Sequence, residues 1–204
     1  MTHPPQHQLG GLCIGIVLTD GFEQAEMTGP RAALEESGVI IRMLSDKTGQ
    51  VRGMHHDQPG DLFDVDTTLD RVTADEFDAL LLPGGEVNAS RLRGNTDAQA
   101  LVREIDAQGK PIAVICHAPW LLISAGLVQG RRMTSSPDVK QDLEKAGAHW
   151  VDEKAVVDRN WVSSRTPDDI PAFNAAFKGI LAQRTRQHIQ GTSDDIPSAV
   201  GEDG

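Results

Sequence analysis

Short apolar runs alternate with helix-favouring amphipathic stretches along most of the chain. Residues 12–18 are rich in Ile and Val and end at Thr-Asp-Gly, which predicts a buried strand closed by a turn. Residues 23–36 offer alanines and a leucine for one buried face, which predicts a helix. Residues 39–44 predict a second strand. This order indicates a parallel pair of strands joined by a right-handed crossover.

The alternation continues towards the C-terminus. Further strands are predicted at 78–85, 111–116 and 132–135, with two or three more between His149 and Ser164. Further helices are predicted at 90–108, 117–126, 137–146 and 168–188. Between these elements, residues 46–77 contain spaced glycines and short alternating pieces, which predict a hairpin ending in a short acidic segment. The pattern predicts an α/β fold, a three-layer sandwich in which helices cover both faces of a largely parallel sheet.

The predicted elements also suggest domain boundaries. We expect residues 1–10 to be a flexible N-terminal extension and residues 11–188 to form a single domain. Residues 189–204 are expected to be an acidic disordered tail, because residues 191–204 carry four acids and no base.

Composition narrows the function classes. The chain has 204 residues, and 19 Lys and Arg against 30 Asp and Glu give a net charge of −11, so a nucleic-acid partner is not expected. No apolar run approaches the roughly 18 residues that a membrane helix needs. The first ten residues lack a basic region followed by an apolar stretch, so we expect a cytoplasmic protein that does not bind membranes. No spacing of Cys or His resembles a metal site and no phosphate-binding loop follows a strand, so no metal or cofactor is expected.

Unusual residues follow three of the predicted strands, at positions 20–23, 83–85 and 116–117. The carboxyl ends of parallel strands lie at one edge of a sheet, so these segments should converge on a site. Cys116 lies at a strand-to-helix junction, where helix amides favour the thiolate and a lowered thiol pKa is expected. The alternative is that Cys116 is a small core residue, which is our interpretation of Cys13.

Several residues could assist Cys116. Glu23 and Glu26 share a helix face, and one of them could turn inward with a raised pKa and contact the Cys116 sulfur. The alternative is that both are there only because the helix dipole stabilises carboxylates near the N-terminus. Gly84 and Gly85 leave backbone amides open to stabilise an oxyanion, or form only a turn. Because His117 is adjacent to Cys116, its side chain should point in a different direction from the Cys116 sulfur, which makes His117 poorly placed to act as a base for Cys116.

Four motifs together resemble the PfpI family, which includes intracellular proteases, general stress proteins and protein deglycases. They are DGFEQAE at 20–26, DALLLPGG at 78–85, GKPIAVICHAP at 109–119 and VSSRTPDD at 162–169. The resemblance spans about residues 12–182 and implies a flavodoxin-like sandwich of the class I glutamine amidotransferase-like superfamily.

The resemblance also implies roles for individual residues. Cys116 would be a nucleophile on a strand-to-helix elbow and Glu26 an inward carboxyl, with an oxyanion hole formed by the region of Gly85 and the His117 amide. Glu23 falls at a second acidic family position near the pocket. The family also implies a homodimer or a higher homo-oligomer.

Two departures from the family pattern bear on activity. Family members carry an acidic residue after the Gly-Gly turn to orient the histidine of a neighbouring subunit, whereas this chain has Ser90 at the best-matching position, with Glu86 as a substitute. A complete Cys-His-acid triad is therefore not expected. In addition, Ala118 replaces the usual glycine after Cys-His and favours small substrates.

Three functions follow from these residues. The first is a stress-response enzyme that uses Cys116 on small reactive carbonyls or their protein adducts, in the manner of a glyoxalase or deglycase. The second is an intracellular cysteine peptidase, which would need His117 to protonate the leaving amine. The third is a non-enzymatic redox-sensing stress protein in which Glu26 stabilises an oxidised Cys116.

Overall fold

Seven strands form the central sheet of the computed structural model, which describes residues 9–193. Two small sheets flank it. The strands are β1 (Cys13–Val17), β2 (Phe22–Glu23), β3 (Ile40–Ser45), β4 (Gln50–His55), β5 (Gln58–Asp64), β6 (Thr67–Thr68), β7 (Ala79–Leu82), β8 (Ile112–Ile115), β9 (Arg132–Met133), β10 (His149–Trp150), β11 (Ala155–Asp158) and β12 (Trp161–Ser164).

The helices alternate with the strands of the central sheet. They are α1 (Gln24–Glu35), α2 (Glu86–Leu92), α3 (Thr96–Ala107), α4 (Pro119–Ser124), α5 (Lys140–Lys145) and α6 (Ile170–Ser193). Short 3-10 turns precede some of these elements, including one at Pro137–Val139 before α5. No helix within residues 9–193 has both the length and the apolar character needed to cross a membrane.

The central sheet has the order β11-β12-β8-β7-β1-β3-β6. Every neighbouring pair is parallel except β11 and β12, which are antiparallel. Because the parallel strands all end at the same edge, the segments that follow β1, β7 and β8 meet there. Strands β2, β4 and β5 form a small sheet beside that edge, with β4 and β5 as an antiparallel hairpin.

The core lies in two layers, one on each face of the central sheet. In β8, Ile112 and Val114 belong to one layer, whereas Ala113 and Ile115 belong to the other. Helices α1 and α6 cover one face, and α2 to α5 cover the opposite face. Because neighbouring residues of a strand point to opposite faces, a strand buried on both sides is a continuous apolar run. The predicted three-layer α/β fold is confirmed.

Some predicted boundaries differ from the structure. The single helix predicted at 90–108 is wrong, because α2 ends at Leu92 and α3 begins at Thr96. The Asn95 side chain accepts a hydrogen bond of 2.8 Å from the Ala98 amide and so caps the new helix. The last helix continues to Ser193, beyond the predicted end at 188.

The domain boundaries at 11 and 188 stay a prediction. Most of the expected N-terminal extension, residues 1–8, lies outside the described residues. So does the part of the expected tail that covers residues 194–204.

Candidate functional site

Cys116 lies at a sharp turn directly after β8. Its backbone φ is +63°, in the left-handed region that residues other than glycine rarely adopt. Hydrogen bonds hold this conformation on both sides, because the Cys116 amide donates to the Ser164 carbonyl at 3.1 Å and the Ser136 amide donates to the Cys116 carbonyl at 3.0 Å. A strained residue that is held in this way is typical of a functional site. The structure therefore has the predicted strand-to-helix elbow.

The elbow opens into a cavity of about 380 Å³ at the carboxyl edge of the sheet. The three predicted segments converge there, since each contributes residues to the lining. The lining consists of Gly21, Glu23, Glu26, Met54, His56, Asp57, Gly85, Glu86, Val87, Cys116, His117 and Pro167. The hairpin of β4 and β5 adds a wall that the sequence analysis did not foresee.

Glu26 is the inward carboxyl of this cavity. Its side chain is 0% exposed, and Oε2 accepts a hydrogen bond of 2.7 Å from the Gly84 amide. Burial raises the pKa of Glu26 to about 8, and the Gly84 amide and the nearby Cys116 thiol only partly oppose this effect. At neutral pH, Glu26 is therefore mostly a neutral acid that can donate a proton.

Gly84 has a different role from the predicted one. Because its amide donates to Glu26, it is not open to an oxyanion, and this part of the prediction is wrong. A Cβ at Gly84 would lie 2.5 Å from Glu26 Oε2 and 2.6 Å from Cys116 Cβ, so only glycine lets the two side chains approach each other. The amides of Gly85 and His117, by contrast, act on the Cys116 sulfur and lower its pKa.

The Cys116 thiol is not acidified by its position. Burial and the neighbouring Glu26 carboxyl raise its pKa, and the hydrogen bonds from the amides of Gly85 and His117 do not outweigh them. The predicted lowering of this pKa is therefore wrong. The prediction considered the helix amides that stabilise a thiolate, but not the loss of hydration that a thiolate suffers when Cys116 is buried. At neutral pH the resting group is a thiol, which needs a base to become a nucleophile.

His117 lies in position to be that base. Its Nδ1 lies 3.1 Å from Cys116 Sγ, and its Nε2 lies 2.5 Å from Asp138 Oδ2. The prediction that His117 turns away from Cys116 is wrong, because the left-handed turn at Cys116 breaks the alternation that a regular strand would impose. Since a carboxylate can only accept, Nε2–H donates to Asp138 and Nδ1 is left to accept the thiol proton.

Asp138 is the functional residue that the sequence analysis missed. It lies in the 3-10 turn Pro137–Val139, and the Ser136 hydroxyl donates a hydrogen bond to its other oxygen. Burial opposes ionisation of Asp138, but the hydrogen bonds from Ser136 and His117 outweigh it and lower the pKa. The signal was present, since Ser-Pro-Asp follows the predicted strand at 132–135 and so lies at a strand end.

Asp138 of the same chain therefore supplies to His117 the acidic partner that is missing at Ser90. Ser90 is exposed and is not among the residues that line the cavity, whereas Glu86 is exposed at its mouth. Glu23 also reaches the cavity, but its Oε2 accepts a hydrogen bond of 3.0 Å from the His56 amide. Glu23 therefore ties the turn of the β4–β5 hairpin to the start of α1.

The other cysteine lies away from this cavity. Cys13 begins β1, is partly buried and packs against one core layer, and burial raises its pKa. Within residues 9–193, no three His, Cys, Asp or Glu side chains are grouped so that they could hold a metal ion.

Comparisons with known proteins agree with the motifs and the geometry. A family model described as the DJ-1/PfpI family matches residues 13–178. A deglycase of Pyrococcus abyssi (strain GE5 / Orsay) is 43% identical over 166 residues, which cover 81% of this chain and 97% of the relative. Protein/nucleic acid deglycase 2 of Escherichia coli (strain K12) is 39% identical over 163 residues, which cover 79% of this chain and 92% of the relative.

Solved structures share the fold. One is a two-domain protein from Anabaena variabilis with DJ-1/ThiJ/PfpI-like and ferritin-like domains, which is 30% identical with a TM-score of 0.78. The match covers 83% of this chain and 48% of that one, so this chain spans about half of the two-domain protein. The resemblance to the PfpI family that the sequence motifs predicted is confirmed. The chain therefore belongs to the DJ-1/PfpI family.

Proposed function

We propose that this protein is a stress-response deglycase that uses Cys116 to remove small dicarbonyl adducts, such as those of methylglyoxal, from protein or small-molecule amines and thiols. The single observation that carries the proposal is the joint placement of a thiol, a histidine and a buried neutral acid around one cavity. Cys116 Sγ lies 3.1 Å from His117 Nδ1. The side chains of the uncharged Glu26 and of Cys116 both pack against Gly84. The names of the two relatives compared above support the same activity.

The first step would exchange the amine of the adduct for the enzyme sulfur. His117 takes the thiol proton, and the sulfur forms a bond to the carbon that carries the hydroxyl and the amine. The bond from this carbon to nitrogen breaks, and Glu26 gives its proton to the departing amine. Glu26 is then a carboxylate, and the product is a hemithioacetal of methylglyoxal on Cys116.

The second step would move a proton along the bound fragment. The Glu26 carboxylate takes the hydrogen from the carbon bonded to sulfur and returns it to the neighbouring carbonyl carbon, through an enediol. The amides of Gly85 and His117 stabilise the oxyanion that develops beside the sulfur. The fragment becomes a thioester of lactate. Water then attacks the thioester carbon while the Glu26 carboxylate takes a proton from this water, the carbon–sulfur bond breaks, and protonated His117 returns its proton to the sulfur. Lactic acid leaves and ionises to lactate, and the Cys116 thiol and the neutral Glu26 are restored.

A lactate assay tests this function. Methylglyoxal-treated N-acetyl-lysine is incubated with the protein, and lactate and free amine are measured together. We expect equal amounts of both products, and loss of both in Cys116→Ser, because a hydroxyl is a far weaker nucleophile. Wild-type rates in Cys116→Ser, or loss of adduct without lactate, would overturn the proposal, and clean oxidation of Cys116 without turnover would favour a redox sensor.

A cysteine peptidase is the second candidate. The contact between His117 Nε2 and Asp138 favours it, since peptide hydrolysis needs a histidine that is oriented by an acid and can protonate the leaving amine. Casein and a set of unmodified peptides separate the two functions. Cleavage that is abolished in both Cys116→Ser and His117→Ala, without lactate release from adducts, would make the peptidase the correct assignment.

We also propose that the protein forms at least a homodimer. Among residues 9–193, strand β5 is an edge strand that pairs only with β4, and most of its residues are exposed. Unpaired edges favour association with a second copy. Light scattering that finds only the monomer mass at micromolar concentration would refute this proposal. A cytoplasmic location stays a prediction.

A further inference from the structure

Asn88 is a fully buried polar side chain beside the candidate site, and the proposed reaction does not use it. It lies in the first turn of α2 and is 0% exposed. Its Oδ1 accepts a hydrogen bond of 2.7 Å from the Thr19 amide, and its Nδ2 donates to the carbonyls of Pro83 and Gly84 at 3.0 Å each. Because a backbone amide can only donate, the Thr19 amide fixes which end of the Asn88 side chain faces the two carbonyls.

These two carbonyls belong to successive peptide groups of the turn between β7 and α2. A trans peptide group is planar, and its carbonyl and its N–H point in opposite directions. The group with the Pro83 carbonyl carries the Gly84 N–H, which donates to Glu26 Oε2 at 2.7 Å. The group with the Gly84 carbonyl carries the Gly85 N–H, which acts on the Cys116 sulfur. A single side chain of α2 therefore holds the carbonyl side of both peptide groups whose N–H groups act on the site.

The turn depends on such a hold because its second peptide group lies between two glycines. No Cβ restricts the peptide group between Gly84 and Gly85, so it can rotate and turn its N–H away from the sulfur at little steric cost. Gly85 already has a φ of +90°, in the region that favours glycine. The Glu23 amide also donates to the Gly84 carbonyl, but at a longer distance of 3.2 Å. The Asn88 side chain is therefore the shorter of the two contacts that oppose rotation.

We propose that Asn88 is a positioning residue of this site, which fixes the direction of the Gly84 and Gly85 amides through the two carbonyls that it binds. The inference rests on the proposed function, in which the Gly85 amide stabilises the oxyanion and Glu26 gives and takes protons. Without the Asn88 side chain, both peptide groups lose a buried donor that fixes their orientation. The oxyanion then loses stabilisation, and the Glu26 carboxylate loses part of the hydrogen bond that favours it.

Two variants at position 88 and one control test this role. Asn88→Asp keeps the shape and can still accept from the Thr19 amide, but an ionised carboxylate has no donor for the two carbonyls and would attract the N–H of a rotated peptide group. Asn88→Ala removes all three hydrogen bonds without adding a charge. The matched control is Asn160→Ala, because Asn160 Nδ2 also donates to a backbone carbonyl, that of Lys110, at 2.9 Å. Asn160 directly precedes β12 and so lies at the opposite, amino edge of the sheet.

Titration of the Glu26 carboxyl by carbon NMR reports the Gly84 amide, and the absence of the signal in Glu26→Gln identifies it. In Asn88→Ala the pKa of Glu26 should rise above the wild-type value of about 8, because a hydrogen bond that favours the carboxylate is weakened. The titratable groups that face Glu26 are Cys116 and Glu23, and they are the same in this variant. A loss of packing alone would lower the free energy of unfolding without raising this pKa.

Two further measurements report the Gly85 amide. Iodoacetamide should alkylate Cys116 more slowly at neutral pH in both variants at position 88, because the sulfur loses a hydrogen bond that stabilises its anion. In the lactate assay, kcat should fall about tenfold to a hundredfold with little change in KM, since the oxyanion develops in the transition state. The fall is smaller than for complete loss of an oxyanion donor, because the Glu23 amide still binds the Gly84 carbonyl.

Asn160→Ala should lower the free energy of unfolding in urea but keep the wild-type Glu26 pKa, alkylation rate and kcat. Wild-type values in the variants at position 88, or equal changes in Asn160→Ala, would overturn the inference. A change at only one of the two glycine amides would also overturn it, since one side chain is proposed to hold both. A wild type that releases no lactate would refute the deglycase instead, because the titration and the alkylation test Asn88 without turnover.

Discussion

Glu26→Gln should change how the stability of the protein depends on pH. The amide side chain of this variant can still accept the hydrogen bond from the Gly84 amide, but it cannot ionise. In the wild type, burial raises the pKa of Glu26 from an ordinary 4.5 to about 8. Between these two values the folded state binds more protons than the unfolded state, so the free energy of unfolding falls as the pH rises.

The size of the effect follows from the shift. One pKa unit corresponds to about 1.4 kcal/mol, so the wild type should lose roughly 3–5 kcal/mol from this group between about pH 5 and pH 9. The contribution of Glu26 is fully present below an ordinary carboxyl pKa and is lost as the pH rises through about 8. Glu26→Gln should abolish this loss. Relative to the wild type, the free energy of unfolding of the variant should therefore increase by a similar amount between acidic and alkaline pH.

Urea titrations over this pH range measure the effect. The difference in unfolding free energy between Glu26→Gln and the wild type is plotted against pH, which cancels any packing change that does not depend on pH. Glu36→Gln controls for the loss of one carboxyl at an exposed position at the end of the same helix. Parallel curves for the wild type and Glu26→Gln would refute the assignment of a neutral buried acid.

Other predictions concern the thiols and the glycine beside them. Iodoacetamide at neutral pH should label Cys116 before Cys13 in the native protein, because Cys116 has a histidine nitrogen within 3.1 Å, and equal labelling by peptide mass would contradict this. Gly84→Ala should destabilise the fold by about 1–3 kcal/mol in urea titrations, since the new methyl group would overlap Cys116 Cβ. Gly179→Ala, in an open part of α6, should instead stabilise by about 0.5–1 kcal/mol, and similar losses in both variants would contradict the steric argument.

The layers of the fold could be predicted because they depend on local patterns. Residues 112–115 form an apolar run that is long enough for a strand and too short for a helix. The broken helix at 90–108 shows the limit of this reasoning. Polar residues around Asn95 fit a helix surface, but in the structure a turn follows α2, with the Asn95 amide donating to the Leu92 carbonyl, and the Asn95 side chain then caps α3 at the Ala98 amide.

The place of the site could be predicted, but its chemistry could not. Strand ends converge in every parallel sheet, so Cys116 was predicted to meet the segment that begins at position 20, with Glu23 or Glu26 turned inward. The choice of Glu26 came from the resemblance to the PfpI family. The direction of His117 depends on one backbone angle at Cys116, which no residue pattern encodes. The thiol pKa depends on burial by the whole fold, and Asp138 reaches His117 only because the 3-10 turn before α5 folds back over the elbow.

The central claim is that His117, held by Asp138, activates a neutral Cys116 thiol. The most direct test is lactate release from methylglyoxal-treated N-acetyl-lysine by the wild type, His117→Ala, Asp138→Asn and Asp138→Glu. His117→Ala should lower kcat about 10²–10⁴-fold, as expected for loss of a general base. Asp138→Asn should lower kcat about tenfold or more with little change in KM, because an amide can donate to Nε2 and favour the wrong tautomer. Asp138→Glu should recover part of the loss. Wild-type kcat in both His117→Ala and Asp138→Asn would contradict the account.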